Sequence, residues 1–282
     1  MSAPDRASRP AGQPPTALTI AGSDSSGGAG LQADLKTFLA CHVHGMSAVT
    51  AVTVQNSLGV SRFYELPAAA VAEQIESVHV DIGVDAAKTG MLATAEIIDA
   101  IADTVTRLGI TRLLVDPVAA SQHGDPLLKP DALESLRRRL IPCALVVTPN
   151  VYEIELLTGI AVRSDPTARD AARALIDLGA RFAIVKGGHR EGPDAIDIVY
   201  DGRDFTELSA PRRSTPHTHG TGDSLGAATT AALARGLDVL PAIAAGKAYV
   251  TRGVDGAYPL GQGRGPVGHF WRVRDLVDDY LD

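Results

Sequence analysis

Leu18-Thr19-Ile20-Ala21-Gly22-Ser23-Asp24-Ser25-Ser26-Gly27-Gly28-Ala29-Gly30-Leu31-Gln32-Ala33-Asp34-Leu35-Lys36 runs from a β-rich segment through a polar, glycine-rich turn into a helical pattern. A strand that feeds a helix through such a turn is the opening of a βαβ unit. The glycines do not fall into the G-x-G-x-x-G spacing, and the chain has no Walker A lysine motif, so dinucleotide-binding and P-loop readings both weaken. A turn of this kind with Asp24 in it suits a small polar substrate.

The same alternation continues outward. Ala17–Ala21, Ser47–Val54, Ala86–Thr89, Arg112–Asp116, Ala144–Thr148, Phe182–Lys186 and Ala195–Tyr200 read as strands. Between them lie segments with a period of about 3.6 residues. Ile97, Ile98, Ile101, Val105 and Leu108 mark one helix stripe; Leu127, Leu133, Leu136 and Leu140 mark a second. The expected fold class is α/β, a mostly parallel sheet with helices on both faces. Residues 1–16, with four prolines and no apolar h-region, read as a disordered tail, and 17–282 as one domain.

In sheets of this type ligands sit beyond the carboxyl ends of the strands. Polar clusters fall at five such ends: Gly22–Gly30, Gln55-Asn56, Asp116-Pro117, Pro149-Asn150 and Lys186-Gly187-Gly188-His189. One shared crevice is the simplest arrangement. Gln55 can donate and accept through its amide, which suits the edge of an aminopyrimidine or pyridine. Asp116 and Glu153 are the best-placed acids for a divalent cation, which prefers hard oxygen ligands and keeps several waters. Asn150 and Glu153 fit a helix N-cap and acidic first turn equally well. Lys186 could neutralise phosphate charge.

His219-Gly220-Thr221-Gly222-Asp223-Ser224-Leu225-Gly226-Ala227-Ala228 adds the chemistry. Gly220 and Gly222 let backbone N–H groups converge on an anion, and the Ala- and Leu-rich run to Arg235 supplies a helix whose N-terminal end favours phosphate. A carboxylate there repels a resting phosphate, but it can serve as the base for an attacking hydroxyl. The alternative is that Asp223 is a plain helix N-cap.

Composition excludes several classes. With 26 Lys+Arg against 33 Asp+Glu the formal charge is −7, unsuited to a general nucleic-acid or membrane-surface binder. Arg137-Arg138-Arg139 reads as a solvated helix face. Cys41 and Cys143 lack metal-ligand spacing and fit reduced thiols of a cytoplasmic protein. The pairs His42/His44 and His217/His219 have no supporting ligands and read as ordinary turn or core histidines. No apolar run is long enough to span a bilayer.

The ordered set of motifs resembles the hydroxymethylpyrimidine kinase/phosphomethylpyrimidine kinase family of the ribokinase-like superfamily, from about Leu18 to Gly268. It comprises Ala21–Thr37, Val54–Val60, Ala87–Leu92, Val115–Val118, Gly124–Leu128, Thr148–Asn150, Val185–His189 and the Gly220–Asp223 turn. The resemblance implies a three-layer sandwich, with pyrimidine near Gly22, Asp24 and Gln55 and against Met91 and Val118. It implies ATP near Lys186, Thr221, Gly222 and Asn150, with Mg²⁺ near Asp116 and Glu153. The catalytic set is then Asp223, Gly220, Gly222 and Lys186, acting on 4-amino-5-hydroxymethyl-2-methylpyrimidine and then on its monophosphate. A homodimer is implied as well. A pyridoxal or pyridoxine kinase is the near alternative, and a non-catalytic pyrimidine sensor the distant one. The chain departs from the family at Asp223, where many members carry Cys. It departs again at Ala119-Ala120-Ser121-Gln122-His123, where a bulky apolar residue and a lysine are frequent.

Overall fold

The computed structural model describes residues 12–120, 127–129, 131–188 and 192–273. The first strand, β1 (Thr16–Ser23), enters α1 (Gly30–Ala40) through the glycine turn, and β2 (His44–Asn56) follows. Next come β3 (Gly59–Glu65), α2 (Ala68–Asp81), β4 (Ala86–Thr89), α3 (Ala95–Arg107), β5 (Leu113–Val115) and α4 (Ala132–Ser135). The chain continues through β6 (Val146–Val147), α5 (Val151–Thr158), α6 (Asp165–Asp177), β7 (Phe182–Val185), β8 (Asp194–Tyr200) and β9 (Phe205–Pro211) to α7 (Thr221–Ala234) and α8 (Val239–Asp255).

Among the described residues these strands form one nine-stranded sheet in the order β3-β2-β1-β4-β5-β6-β7-β8-β9. Pairing is parallel from β2 to β7 and antiparallel where β3, β8 and β9 are added at the two edges. The chain moves outward one way from β1 to β2 and the other way from β4 onward. The order therefore reverses between β1 and β4, which opens a crevice at their carboxyl ends.

Apolar packing explains the two covered faces. Ile97, Ile98 and Ile101 of α3 join Val71 and Ile75 of α2, Ile154 of α5 and Leu175 of α6 in the larger cluster on one face. On the other face Phe38 of α1, Ala227 and Ala231 of α7 and Ala242 of α8 close the second. Residues Ser224 to Ala234 of α7 are all buried, and their small side chains let neighbouring helices approach closely.

The expected α/β sheet is present, with several boundaries moved. Strands β3 and β9 escape the sequence reading because they are edge strands, mostly half-buried or exposed, and lack a clean apolar run. Thr16, assigned to the tail, is buried and already belongs to β1; residues 1–11 lie outside the described residues. Leu127 stands outside any helix. Beyond Ser135 the helical path widens into a π turn at Leu136–Leu140, then tightens to 3₁₀ at Ile141–Cys143, where Pro142 has no N–H to give. The arginine run on that turn is exposed and pairs with Glu134, Asp99 and Asp103. No helix of the described residues is long and apolar enough to cross a membrane.

Candidate active site

The carboxyl ends of β1, β4, β5 and β7 meet the start of α7; Asp24, Lys88, Asp116 and His219 are buried there, while Lys186, Thr221 and Asp223 are half-buried. Gly220 precedes α7 in the left-handed region, φ +78°, and a Cβ on it would run into the carbonyl oxygen of Gly28. Only glycine lets the two glycine turns press together there. A Cβ on Gly28 would likewise meet the ring of His219.

In the first turn, Asp24 is 3% exposed and its oxygens are filled. Oδ1 accepts Ser26 N–H at 2.8 Å, and Oδ2 accepts Gly28 N–H at 3.0 Å and Ala29 N–H at 2.8 Å. The Ser26 hydroxyl donates as well, and His219 Nε2 lies 3.0 Å from Oδ2. Burial works to raise this carboxyl, but the bonds from His219 and Ser26 outweigh it and hold it below the usual range. Asp24 thus organises its own loop. Both oxygens of the carboxylate expected to face substrate accept from the loop amides, the Ser26 hydroxyl and His219.

His219, set aside above as an ordinary histidine, joins the two turns. Its Nε2 is also 3.3 Å from Gln55 Nε2, so Asp24 and Gln55 are brought together through this ring. Gln55 Oε1 accepts the Thr53 hydroxyl at 3.2 Å. Beside it opens a groove of ≈ 420 Å³ lined by Ser25, Val54, Gln55, Asn56, Leu58, Gly59, Val60 and Ser61. Met91 and Val118 pack in one apolar cluster with Ala51, Ala93 and Leu127, and the missing side chain of Gly22 leaves room for the Met91 sulfur. Gly22, Met91 and Val118 therefore do come together as one wall.

In the second turn, Asp223 is different. Its side chain is 20% exposed, and its nearest charged neighbour is Lys88 Nζ, 3.8 Å from Oδ1. Thr221 turns its hydroxyl back onto the Thr218 carbonyl at 2.6 Å, so it stabilises the turn. Lys186 Nζ donates to Asp116 Oδ1 at 3.2 Å, and both approach the bare α-carbon of Gly222. Burial opposes the charge on Lys186, but Asp116 and Glu153 outweigh it and hold its pKa above the usual lysine value.

Asn150 and Glu153 form the capping box of α5: the Asn150 side chain accepts Tyr152 and Glu153 N–H, and Glu153 accepts Asn150 N–H at 2.8 Å. Glu153 also accepts Ala119 N–H at 3.3 Å, which ties down the start of the segment after β5. Burial, with Asp116 adding to it, pushes the Glu153 carboxyl up to about 7 against the pull of Lys186. Of the segment Ala119–Asp125, residues 121–125 lie outside the described residues, as does His189. Asp116 keeps an oxygen toward Gly222, which fits a cation that retains most of its water, while both Glu153 oxygens are taken by backbone N–H groups. No cluster of three or more His, Cys, Asp or Glu among the described residues makes a closed metal cage.

Two further residues were missed, Asp34 and Lys88, both fully buried and joined at 2.7 Å. Each left a signal: Asp34 lies on the helix face of Leu31 and Phe38, and Lys88 interrupts a central strand.

The profile of the phosphomethylpyrimidine kinase family matches residues 24–268. A hydroxymethylpyrimidine/phosphomethylpyrimidine kinase of Mycobacterium leprae is 52% identical over 264 residues, covering 92% of this chain and 95% of its own. Among solved structures, the ADP complex of Bacillus subtilis pyridoxal kinase superposes with a TM-score of 0.86 at 37% identity, covering 93% of this chain and 99% of its own. The phosphomethylpyrimidine kinase of Clostridium difficile gives a TM-score of 0.75 at 40% identity, covering 84% and 97%.

Proposed function

The chain belongs to the phosphomethylpyrimidine kinase family, and from that membership and its site we propose a two-step kinase with Asp223 as its proton acceptor. It phosphorylates hydroxymethylpyrimidine with ATP, and then phosphorylates the monophosphate to the diphosphate, in thiamine biosynthesis. The observation that carries the Asp223 role is its carboxylate, partly exposed in the first turn of α7, with Lys88 Nζ, 3.8 Å away, as its ion-pair partner among the described residues.

The substrate hydroxyl attacks the γ-phosphorus in line, and Asp223 takes its proton. The amides of Gly220 to Gly222 and the α7 N-terminus stabilise the charge that develops on the phosphoryl oxygens. Lys186 adds a fixed positive charge on the same side. Asp116, backed by Glu153, would hold Mg²⁺, which when bound neutralises phosphate oxygens. The pyrimidine lies against Gly22, Met91 and Val118, with Gln55 at its edge. The second step needs no base, because a phosphate monoester with a second pKa of about 6 is already largely ionised at neutral pH.

We also infer a homodimer formed through the β2–β3 hairpin, whose Val52, Val54 and Tyr64 expose an apolar strip. Two free cysteines fit a cytoplasmic enzyme.

The deciding assay is ATP-dependent turnover of hydroxymethylpyrimidine with the product mass identified. Sequential monophosphate and diphosphate support the reading. Phosphorylation of pyridoxal alone would make it a pyridoxal kinase, and tight pyrimidine binding without ATP consumption would make it a sensor.

A further inference from the structure

Lys88 is fully buried on β4, beside the point where strand order reverses. An ammonium in such a place persists only when paired and hydrogen-bonded. Its Nζ donates to Asp34 Oδ1 at 2.7 Å, and the other Asp34 oxygen accepts the Thr19 hydroxyl at 2.6 Å. That pair alone satisfies the burial requirement. Yet Nζ also lies 3.8 Å from Asp223 Oδ1. The two acids stand on α1 and α7, the helices that follow the two glycine turns, so one ammonium braces both turns from beneath.

The charges facing this ammonium are Asp34 from α1, Asp223 from α7 and Asp116 from the end of β5, while Lys186 at the end of β7 faces Asp116 and Asp223. Burial opposes the charge on Lys88, but the three acids outweigh it and raise its pKa, so the lysine stays an ammonium. Burial pushes Asp34 up to about 7 against the pull of Lys88. As Asp34 takes a proton, the lysine charge is left increasingly to Asp223.

We propose that Lys88 is the positioning residue for the proton acceptor: anchored on Asp34, its ammonium holds the Asp223 carboxylate in place while anionic phosphates lie against the same turn. This rests on the reading of Asp223 as the base. In the step it supports, the substrate O–H bond breaks and its proton goes to Asp223. The new O–P bond forms, and the bond from the γ-phosphorus to the bridging oxygen breaks with ADP leaving. With Asp34 ionised, the Asp34–Lys88–Asp223 trio carries one net negative charge before the step and none after it. Lys88 itself exchanges no proton.

The test is Lys88→Met, made in the full chain and again with Asp223→Asn, assayed on hydroxymethylpyrimidine and on its monophosphate. Lys88→Met is expected to lower kcat for the alcohol by about tenfold or more and for the monophosphate by less than about threefold. With Asp223→Asn already present it should change the alcohol step by less than about twofold, since the coupling is lost. If Lys88→Met does not fold, Asp34→Asn/Lys88→Met carries the same test, because it removes both buried charges together and keeps an acceptor for Thr19. Equal loss on both substrates, or a full additional loss with Asp223→Asn present, would overturn the positioning role. If Asp223→Asn spares the alcohol step, the base assignment itself fails; if it suppresses that step while the folded Lys88 variant does not, only the positioning role falls.

Discussion

Two aspartates stand in two glycine turns that press against each other, and they do opposite things. Asp24 has its oxygens filled by loop amides, the Ser26 hydroxyl and His219, and it is almost wholly buried. Asp223 has its side chain partly exposed and one ammonium 3.8 Å away. A carboxylate with every lone pair engaged from inside the fold has no capacity to accept a substrate proton, whereas a partly exposed one faced by the ammonium groups of Lys88 and Lys186 does. Residue type and glycine context do not tell these two acids apart; the donors around them do.

The largest expected effect follows directly. Asp223→Asn should lower the rate of alcohol phosphorylation by roughly 10²- to 10⁴-fold, the usual range for a lost general base, in a steady-state coupled assay. Next, Gly220→Ala should lower both activities together by about tenfold or more. The residue has φ +78°, its new Cβ meets the Gly28 carbonyl, and the amides of the turn serve both steps. Selective loss of one step would break the view that the turn is shared.

Asp24→Asn should act mainly on stability, by roughly 1–3 kcal/mol for the donors left unsatisfied, measured by urea unfolding, with both activities falling in parallel. The pH dependences of the two buried acids near the first turn should also have opposite signs. The Asp24 carboxyl is depressed, so its stabilisation is present above about pH 4 and lost as pH falls through the lower folded value. The Asp34 carboxyl is raised to about 7, so the folded state holds a proton that the unfolded chain releases near pH 4, and stability falls as pH rises from about 4 to about 7. The smallest effect is therefore in Asp34→Asn, whose melting temperature relative to the parent should rise by a few degrees between pH 5 and pH 8. A constant difference would contradict the raised value.

Much of this was legible in the chain. The β-rich runs alternating with helical stripes gave the parallel sheet, because buried central strands must be apolar throughout. The glycines of the Gly220–Asp223 turn signalled the close backbone approach that Gly220 makes to Gly28. The edge strands β3 and β9 were not legible, since exposed edges carry polar residues that blur any period. Asp34, Lys88 and His219 were also passed over. Their roles come from contacts across 54 residues for Asp34–Lys88 and 195 residues for Asp24–His219, which local pattern does not encode. The charge on an apolar helix face at Asp34 and the lysine inside a central strand were the available signals, and both marked the site.

The most direct test sets Asp223→Asn beside Asp24→Asn and measures, for each, the ratio of hydroxymethylpyrimidine to phosphomethylpyrimidine turnover. Asp223→Asn should depress that ratio by about 10²-fold or more, and Asp24→Asn should leave it within about threefold of the parent. An unchanged ratio in Asp223→Asn, or a collapse of the ratio in Asp24→Asn, would contradict the division of labour between the two turns.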